Sequence, residues 1–135
     1  MLAPSTLLAG TNTIKFARLY WGGRIDDDNS NYANRGTVSI RKAAGAYATV
    51  NAGVQIDQTL LTGDQYAYQA YQDVTAFVNT NGAGSYTVAN VATTTGSVGG
   101  GGNYGGWALV VVYENLTLPY SSVRVYDGFV RVENN

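Results

Sequence analysis

The stretch that most constrains the fold of this chain is residues 104–114, which read YGGWALVVVYE. Six consecutive non-polar residues, Ala108 to Tyr113, follow a Gly-Gly-Trp sequence and lead into a turn-like segment that ends at Pro119. This run is too short to cross a bilayer, and its β-branched residues favour a strand over a helix. A short apolar run bounded by turn residues is typical of a strand covered on both faces. We therefore expect a central strand in a two-layer β structure.

Segments with the alternating pattern of a strand recur along the rest of the chain. Residues 13–21 predict a strand that is ended by Gly22 and Gly23, and residues 24–36 predict a polar loop. Turns are predicted at residues 60–64, where the leucines are expected to be buried anchors, and at Asn81-Gly82. Further strands are predicted at residues 37–42 (with Val38 and Ile40 inward), 47–56, 85–92 and, as two short strands around Asp127-Gly128, 123–132.

Residues 65–78 fit both a strand and a helix, because their apolar side chains match both spacings. We expect a strand that ends near Tyr71, followed by one helical turn that Asp73 caps and that ends at Val78. About eight short strands, spaced by roughly 8–12 residues, with one short helical turn near residues 73–78 predict an all-β fold. The expected architecture is a jelly-roll-like β-sandwich.

The chain has 135 residues, enough for one domain with a core of its own. We expect residues 13–135 to form a single β-sandwich domain, preceded by an amino-terminal tail or donor segment over residues 1–12. The opening residues lack the basic start and long apolar core of a signal peptide. No stretch of the sequence is apolar for long enough to span a membrane.

Charge is sparse in this chain, at 13% of residues, about half of the ~25% typical of soluble proteins. The surface is therefore expected to be rich in Thr, Ser, Asn, Gln and Gly, which suits either a protein exposed to variable salt or a surface that packs against other copies. The net charge of −1 and the scattered six arginines and two lysines argue against a nucleic-acid partner. Near neutrality also weakens the repulsion between molecules.

The chain contains neither cysteine nor histidine. The first absence excludes a disulfide scaffold and a cysteine nucleophile, and the second removes the usual general base and the usual zinc ligand. Glu114 and Asp127 are candidates for the paired carboxylates of a glycosidase, but nine acids scattered along a chain produce such pairs by chance. We therefore expect no enzyme and no catalytic residues.

Five motifs follow one another along the chain: ARLYWGG (17–23), YQAYQDVTAFV (68–78), GSYTVANV (84–91), GGWALVVVYE (105–114) and RVYDGF (124–129). Together they resemble a largely uncharacterised domain family. Members of that family occur near the start of long secreted or cell-surface bacterial proteins, often ahead of adhesin-like Ig-type repeats. The motifs DVTAFV and YTVANV are also similar to an element of galactose-binding-type jelly rolls. The resemblance implies an extracellular, adhesin-associated structural or binding role and brings no catalytic residues.

One loop holds the densest group of oxygen ligands in the sequence. Calcium takes six to eight oxygens from carboxylates, amides and carbonyls, and this loop supplies several, although it lacks the spacing of an EF-hand. The alternative is a solvated turn whose Asp and Asn side chains cap their own backbone. The candidate ligands are Asp26, Asp27, Asp28, Asn29 and Asn31.

Aromatic residues suggest a second type of site. Eleven tyrosines and two tryptophans are present, and an aromatic face suits the C–H side of a sugar ring. Tyr104 and Trp107, beside the glycine-rich residues 93–106, are the candidate sugar-stacking residues, with Asn103 as their polar partner. The alternative is that most aromatic side chains lie in the core or in cross-strand pairs.

Lys15 and Lys42 are the only lysines. Surface adhesin domains form Lys–Asn isopeptide bonds assisted by a carboxylate, and Asn90, Asp73 and Glu114 are possible participants. The alternative, that each lysine simply points into solvent, stays open.

These observations favour a non-enzymatic extracellular β-sandwich of a bacterial surface or appendage protein, secreted or held at the cell surface. It is expected to bind other copies of itself or other surface proteins by strand addition, with the apolar residues 2–8 as a candidate donor. The alternative function is a carbohydrate-binding module that uses exposed aromatic residues near the glycine-rich loop.

Overall fold

Two antiparallel β-sheets make up the part of the chain that the computed structural model describes, namely residues 12–52, 56–96, 103–130 and 132. One sheet has four strands in the order β4-β5-β1-β7, and the other has three in the order β3-β2-β6. The predicted all-β sandwich is therefore confirmed, with seven described strands. The elements are β1 (Asn12–Asp26), a 3-10 helix (Tyr32–Asn34), β2 (Thr37–Lys42), β3 (Ala48–Asn51), β4 (Ile56–Thr62), β5 (Gln65–Asp73), α1 (Thr75–Asn81), β6 (Tyr86–Ala89) and β7 (Gly105–Asn115).

Strand β1, rather than β7, is the centre of the four-stranded sheet. It pairs with β5 on one side and with β7 on the other, and its alternate residues Leu19 and Trp21 are buried. The predicted break at Gly22 and Gly23 is wrong, because β1 continues to Asp26. A side chain at Gly22 would place its Cβ 2.4 Å from the backbone oxygen of Tyr68. Glycine is therefore needed for close approach to β5 and does not end the strand.

The core lies between the two sheets and under α1. Val38 and Ile40 of β2 face inward and are fully buried, as predicted. Burying an aliphatic side chain of this size contributes about 1.5–3 kcal/mol. The buried cluster consists of Ala17, Leu19, Trp21, Ile25, Val38, Ile40, Val50, Ala52, Tyr68, Ala70, Val74, Val78 and Ala92.

The predicted helical turn is present as the seven-residue helix α1. Asp73 is not the N-cap residue as predicted, because that position is held by Val74. The Asp73 side chain still accepts a hydrogen bond from the Thr75 N–H at 2.8 Å, so it satisfies a free amide at the start of the helix. Val78 packs into the core. The predicted hairpin turn at Asn81-Gly82 is wrong, since these residues end α1, and Gly82 has a φ of 67°.

Strand β7 confirms the predicted strand but contradicts its expected central position. Leu109 and Val111 pack against the core, and Val110 and Val112 lie on the other face; all four side chains are half-buried. The strand is at the edge of its sheet, with β1 on one side. An apolar run shows that a strand is present, but it does not show how many neighbours the strand has.

Two other sequence predictions fail at least in part. The turn predicted at residues 60–64 is present only at Gly63 and Asp64, which join β4 to β5. The leucines belong to β4, and Leu60 is 45% exposed instead of buried. Residues 116–130 and 132 form no strand, although the sequence predicts two strands within 123–132. In this segment Tyr120 and Tyr126 are largely exposed. Alternation makes a segment suitable for a strand, but it does not show that the segment lies beside a partner strand in the fold.

The remaining strand predictions are partly confirmed. Strand β6 covers only part of the predicted residues 85–92, and β3 covers only part of residues 47–56. Residues 53–55, near the end of the latter prediction, and the candidate donor at residues 2–8 lie outside the described part of the chain.

Candidate functional site

Among the residues that the structure describes, the outer side of β7 is an open sheet edge. On its inner side, β7 pairs with β1 from Asn115 opposite Asn12 to Gly105 opposite Gly23. On its outer side, the backbone of residues 106–113 forms no hydrogen bond with any part of the chain that the structure describes. Such an edge presents a row of N–H and C=O groups that another strand can pair with.

The side chains of β7 do nothing to block this edge. Residues 105–113 contain no charge and no proline, and Trp107 is 42% exposed. The charged residue of the strand, Glu114, lies near its end and forms an ion pair with Lys15 at 3.3 Å. The apolar centre of the strand is thus free of the charges with which natural sheets protect their edges.

The other sheet edges have such protection. Strand β4 carries Asp57 and has an irregular register between Leu60 and Thr62. Both a charge and a bulge discourage pairing with another strand. Strands β3 and β6 have only four residues each. Among the described strands, β7 therefore offers the longest unprotected edge.

A groove opens beside β7, with a volume of about 340 Å³. Two of its lining residues, Gly22 and Gly106, face each other across β1 and β7 and have no side chains. Nothing lies within 4 Å of the position that a Cβ at Gly106 would take, so space remains above the sheet. The lining consists of Tyr20, Trp21, Gly22, Gly23, Ala67, Tyr68, Gln69, Tyr104, Gly106, Trp107, Ala108 and Phe129.

The groove unites two of the three predicted sugar-site residues. Tyr104 and Trp107 both line it, but Asn103 does not. The side-chain amide of Asn103 instead donates a hydrogen bond to the Gly96 oxygen at 3.2 Å. Sequence reasoning missed Phe129, which reaches the groove from a segment that has no secondary structure.

A polar cluster on the same sheet face holds the carboxyl-terminal segment in place. Asp127 accepts hydrogen bonds from Arg18 and Tyr20 of β1, and the Arg18 guanidinium lies 5.0 Å from the ring centroids of both Phe16 and Tyr71. Burial raises the pKa of Tyr20, and its hydrogen bond to Asp127 raises it further. This cluster could not be predicted from local sequence, because Asp127 is more than 100 positions away from Arg18 and Tyr20.

The predicted calcium ligands lie at the end of β1 and in the turn that follows it. The Asn29 side chain accepts a hydrogen bond from the Asn31 N–H at 2.9 Å, as in an ordinary polar turn. The Asp26 N–H donates to Thr94 Oγ1 at 2.9 Å, and the Asp27 N–H donates to the Asp64 oxygen at 3.0 Å. Within the described ranges, no group of three acidic side chains is placed to hold a metal ion. Calcium binding at Asp26, Asp27, Asp28, Asn29 and Asn31 therefore stays a prediction.

The two lysines have separate contacts. Lys15 forms the exposed ion pair with Glu114, and Lys42 donates a hydrogen bond to the Asn81 backbone oxygen at the end of α1. A lysine at this end of a helix satisfies one of its free carbonyl groups. These contacts do not test the predicted isopeptide bond.

Comparison with known proteins gives no family assignment. No family model matches the chain, and no curated protein or solved structure matches it. The resemblance to an adhesin-associated family therefore stays a prediction. Within the described residues, no helix is long and apolar enough to cross a membrane.

Proposed function

We propose that this chain is a non-enzymatic, extracellular β-sandwich module of a bacterial surface or appendage protein, and that it works by strand addition along β7. The observation that carries the proposal is the outer edge of β7, whose residues 106–113 have no backbone partner among the described residues. In strand addition, main-chain hydrogen bonds supply affinity and the alternating side chains supply specificity. The open edge of β7 provides both.

Charge and composition support the same function. A net charge of −1 gives little long-range repulsion between molecules, and the low content of charged residues leaves a surface that is suited to close packing. The extracellular location is supported by the motifs that resemble the adhesin-associated family. Candidate partners are other copies of this chain and other surface proteins.

The experiment measures molar mass by size-exclusion chromatography with light scattering over a wide range of protein concentration. Electron microscopy detects any larger assembly. We expect the wild-type chain to associate as its concentration rises. Ala108→Lys places a charge on the open edge at an exposed position opposite Tyr20, and it should weaken association at least tenfold, or about 1.4 kcal/mol.

The matched control is Leu116→Lys, which makes a similar change outside the strand, at a side chain that is 88% exposed. It should associate like the wild type. A wild-type chain that stays monomeric at every concentration would overturn the proposal. Association that Ala108→Lys leaves unchanged would also overturn it.

A carbohydrate-binding module is the second candidate, favoured by the presence of Tyr104 and Trp107 in one open groove. A glycan array with the wild type, Trp107→Ala and Tyr120→Ala tests it. Tyr120 is 97% exposed and is not part of the groove lining, so Tyr120→Ala is the matched control. Binding should be lost only in Trp107→Ala. The absence of signal for the wild type would remove this candidate.

A further inference from the structure

The geometry points to a specific occupant of the open edge: we infer that β7 pairs with β7 of a second copy, antiparallel, about a two-fold axis at Val110. This inference rests on the proposed function, because it names the strand that is added. Pairing of the same strand from two copies is the isologous contact typical of two-fold dimers. It joins two four-stranded sheets into one continuous sheet of eight strands.

The core-facing side chains restrict the register of this pairing. Directly opposite residues of an antiparallel pair lie on the same face of the sheet. Leu109 and Val111 face the core, so both copies keep their cores on one side only if the axis passes through a residue. An axis between two residues would put the core of one copy opposite the solvent-exposed face of the other.

Among the central registers, the one at Val110 gives the best side-chain pairs. It places Trp107 of one copy opposite Tyr113 of the other, Ala108 opposite Val112, and Leu109 opposite Val111. Aromatic and branched aliphatic pairs of this kind stabilise neighbouring strands. Trp107 has the exposure needed to accept such a partner.

Charge is compatible with the same register. With the axis at Val110, Glu114 lies opposite Gly106, a position with open space above it. The two Glu114 side chains are then eight positions apart, or roughly 27 Å at about 3.4 Å per residue. This separation exceeds the screening length of about 8 Å at physiological salt. An axis at Leu109 would separate Trp107 from Tyr113, and an axis at Val111 would place Glu114 against the apolar Ala108.

The other edges of the sheet limit the assembly. After β7 has paired with its copy, the continuous sheet ends in two β4 strands, each with Asp57 and an irregular register. These features discourage further pairing. We therefore expect a dimer as the main assembly.

The first test uses the absence of native cysteine from the sequence. Val110→Cys places two thiols opposite each other, and a disulfide requires Cα atoms about 4.4–6.8 Å apart. In Ala108→Cys and Val112→Cys the identical positions are four residues apart along the sheet, or roughly 13 Å. Mild oxidation should give a covalent dimer of Val110→Cys and little of the two control variants. Preferential linkage at 108 or 112 would overturn the register.

The second test exchanges charges across the same contact, because the register places position 108 opposite position 112. Ala108→Lys combined with Val112→Lys should prevent the dimer, since like charges face each other directly. Ala108→Lys combined with Val112→Glu should restore it, at least tenfold over the double-lysine variant. Equal association of the two double variants would contradict the pairing. Light scattering measures both.

The outcomes separate this inference from the proposed function. If the wild type stays monomeric, both are overturned. If the wild type associates and Ala108→Lys weakens association, but Val110→Cys does not cross-link and the charge exchange has no effect, only the two-fold pairing at Val110 is overturned. Strand addition by another partner segment would then remain.

Discussion

The four-stranded sheet has two edges of different character. Strand β7 offers nine uncharged residues, 105–113, and the register shift in its pairing lies in β1, between Ile14 and Phe16, whereas β4 itself carries Asp57 and an irregular register between Leu60 and Thr62. Both strands are long, and both lie beside a fully paired neighbour. Under the proposed strand addition, charge and regularity, rather than length, distinguish the edge that accepts another strand.

The largest expected effect comes from truncating a buried side chain of β1, the strand that lies between β5 and β7 in the four-stranded sheet. Trp21 on β1 is buried, and its indole N–H donates to the Arg35 oxygen at 2.8 Å. Trp21→Ala should lower the free energy of unfolding by about 3–5 kcal/mol, because it opens a cavity between the sheets. Urea unfolding followed by circular dichroism measures this effect. A loss below about 1 kcal/mol would contradict the central position of β1.

The proposed difference between the two edges would be contradicted if an added lysine weakened self-association equally at both. Ala108→Lys on β7 should weaken self-association at least tenfold, while Thr59→Lys on β4 should change it less than twofold. Sedimentation equilibrium of both variants gives the two dissociation constants. Equal effects would show that β7 is not the special edge.

A variant of Tyr68 distinguishes an effect on folding stability from an effect on self-association. Tyr68 lies in β5 next to β4, and its hydroxyl donates to the Ala92 oxygen at 2.7 Å. Tyr68→Phe should cost about 1 kcal/mol of stability and leave self-association unchanged. Urea unfolding and sedimentation equilibrium measure these two quantities. If Tyr68→Phe lowered both the stability and the self-association, the weaker association of the edge variants would reflect a loss of folding stability and not a change at the edge.

The raised pKa of Tyr68 also predicts that the stability of the fold depends on pH. Burial raises the pKa of Tyr68 to about 12 from an ordinary value of 10.0. Because the folded state holds this proton more tightly than the unfolded state, the contribution of Tyr68 is complete below pH 10 and declines as the pH rises through 12. Tyr68→Phe should show a smaller loss of stability than the wild type over this interval in urea unfolding. An equal loss would contradict the raised pKa.

The smallest effect is expected from removing the charge of β4. Asp57→Val should increase self-association less than twofold, because the irregular register near Leu60 remains. Light scattering would detect any larger increase. A strong gain would show that Asp57 alone protects this edge.

Local sequence pattern predicted the elements better than their arrangement. The alternation of Val38 and Ile40 predicted both β2 and its buried face, and Asp73 predicted the start of a helical segment. The position of β7 could not be predicted, because its pairing with β1 joins Asn12 to Asn115 across most of the chain. Such contacts depend on the fold and leave no local pattern.

The contacts of the candidate site also include some that the sequence could predict and some that it could not. Tyr104 and Trp107 are close in sequence, so their shared groove could be predicted. The contact of Asp127 with Arg18 could not, since it forms only when the carboxyl-terminal segment lies over β1. The predicted strands around Asp127 failed for a related reason, because alternation does not identify a partner strand.

The most direct test of the open edge is residue-resolved amide hydrogen exchange at low and high protein concentration. At high concentration, we expect slower exchange at those amides of residues 106–113 that point away from β1, while the exchange of β4 stays unchanged. Such protection would show that a strand has been added to β7. Equal exchange of β7 at both concentrations, or new protection at β4 instead, would contradict the account.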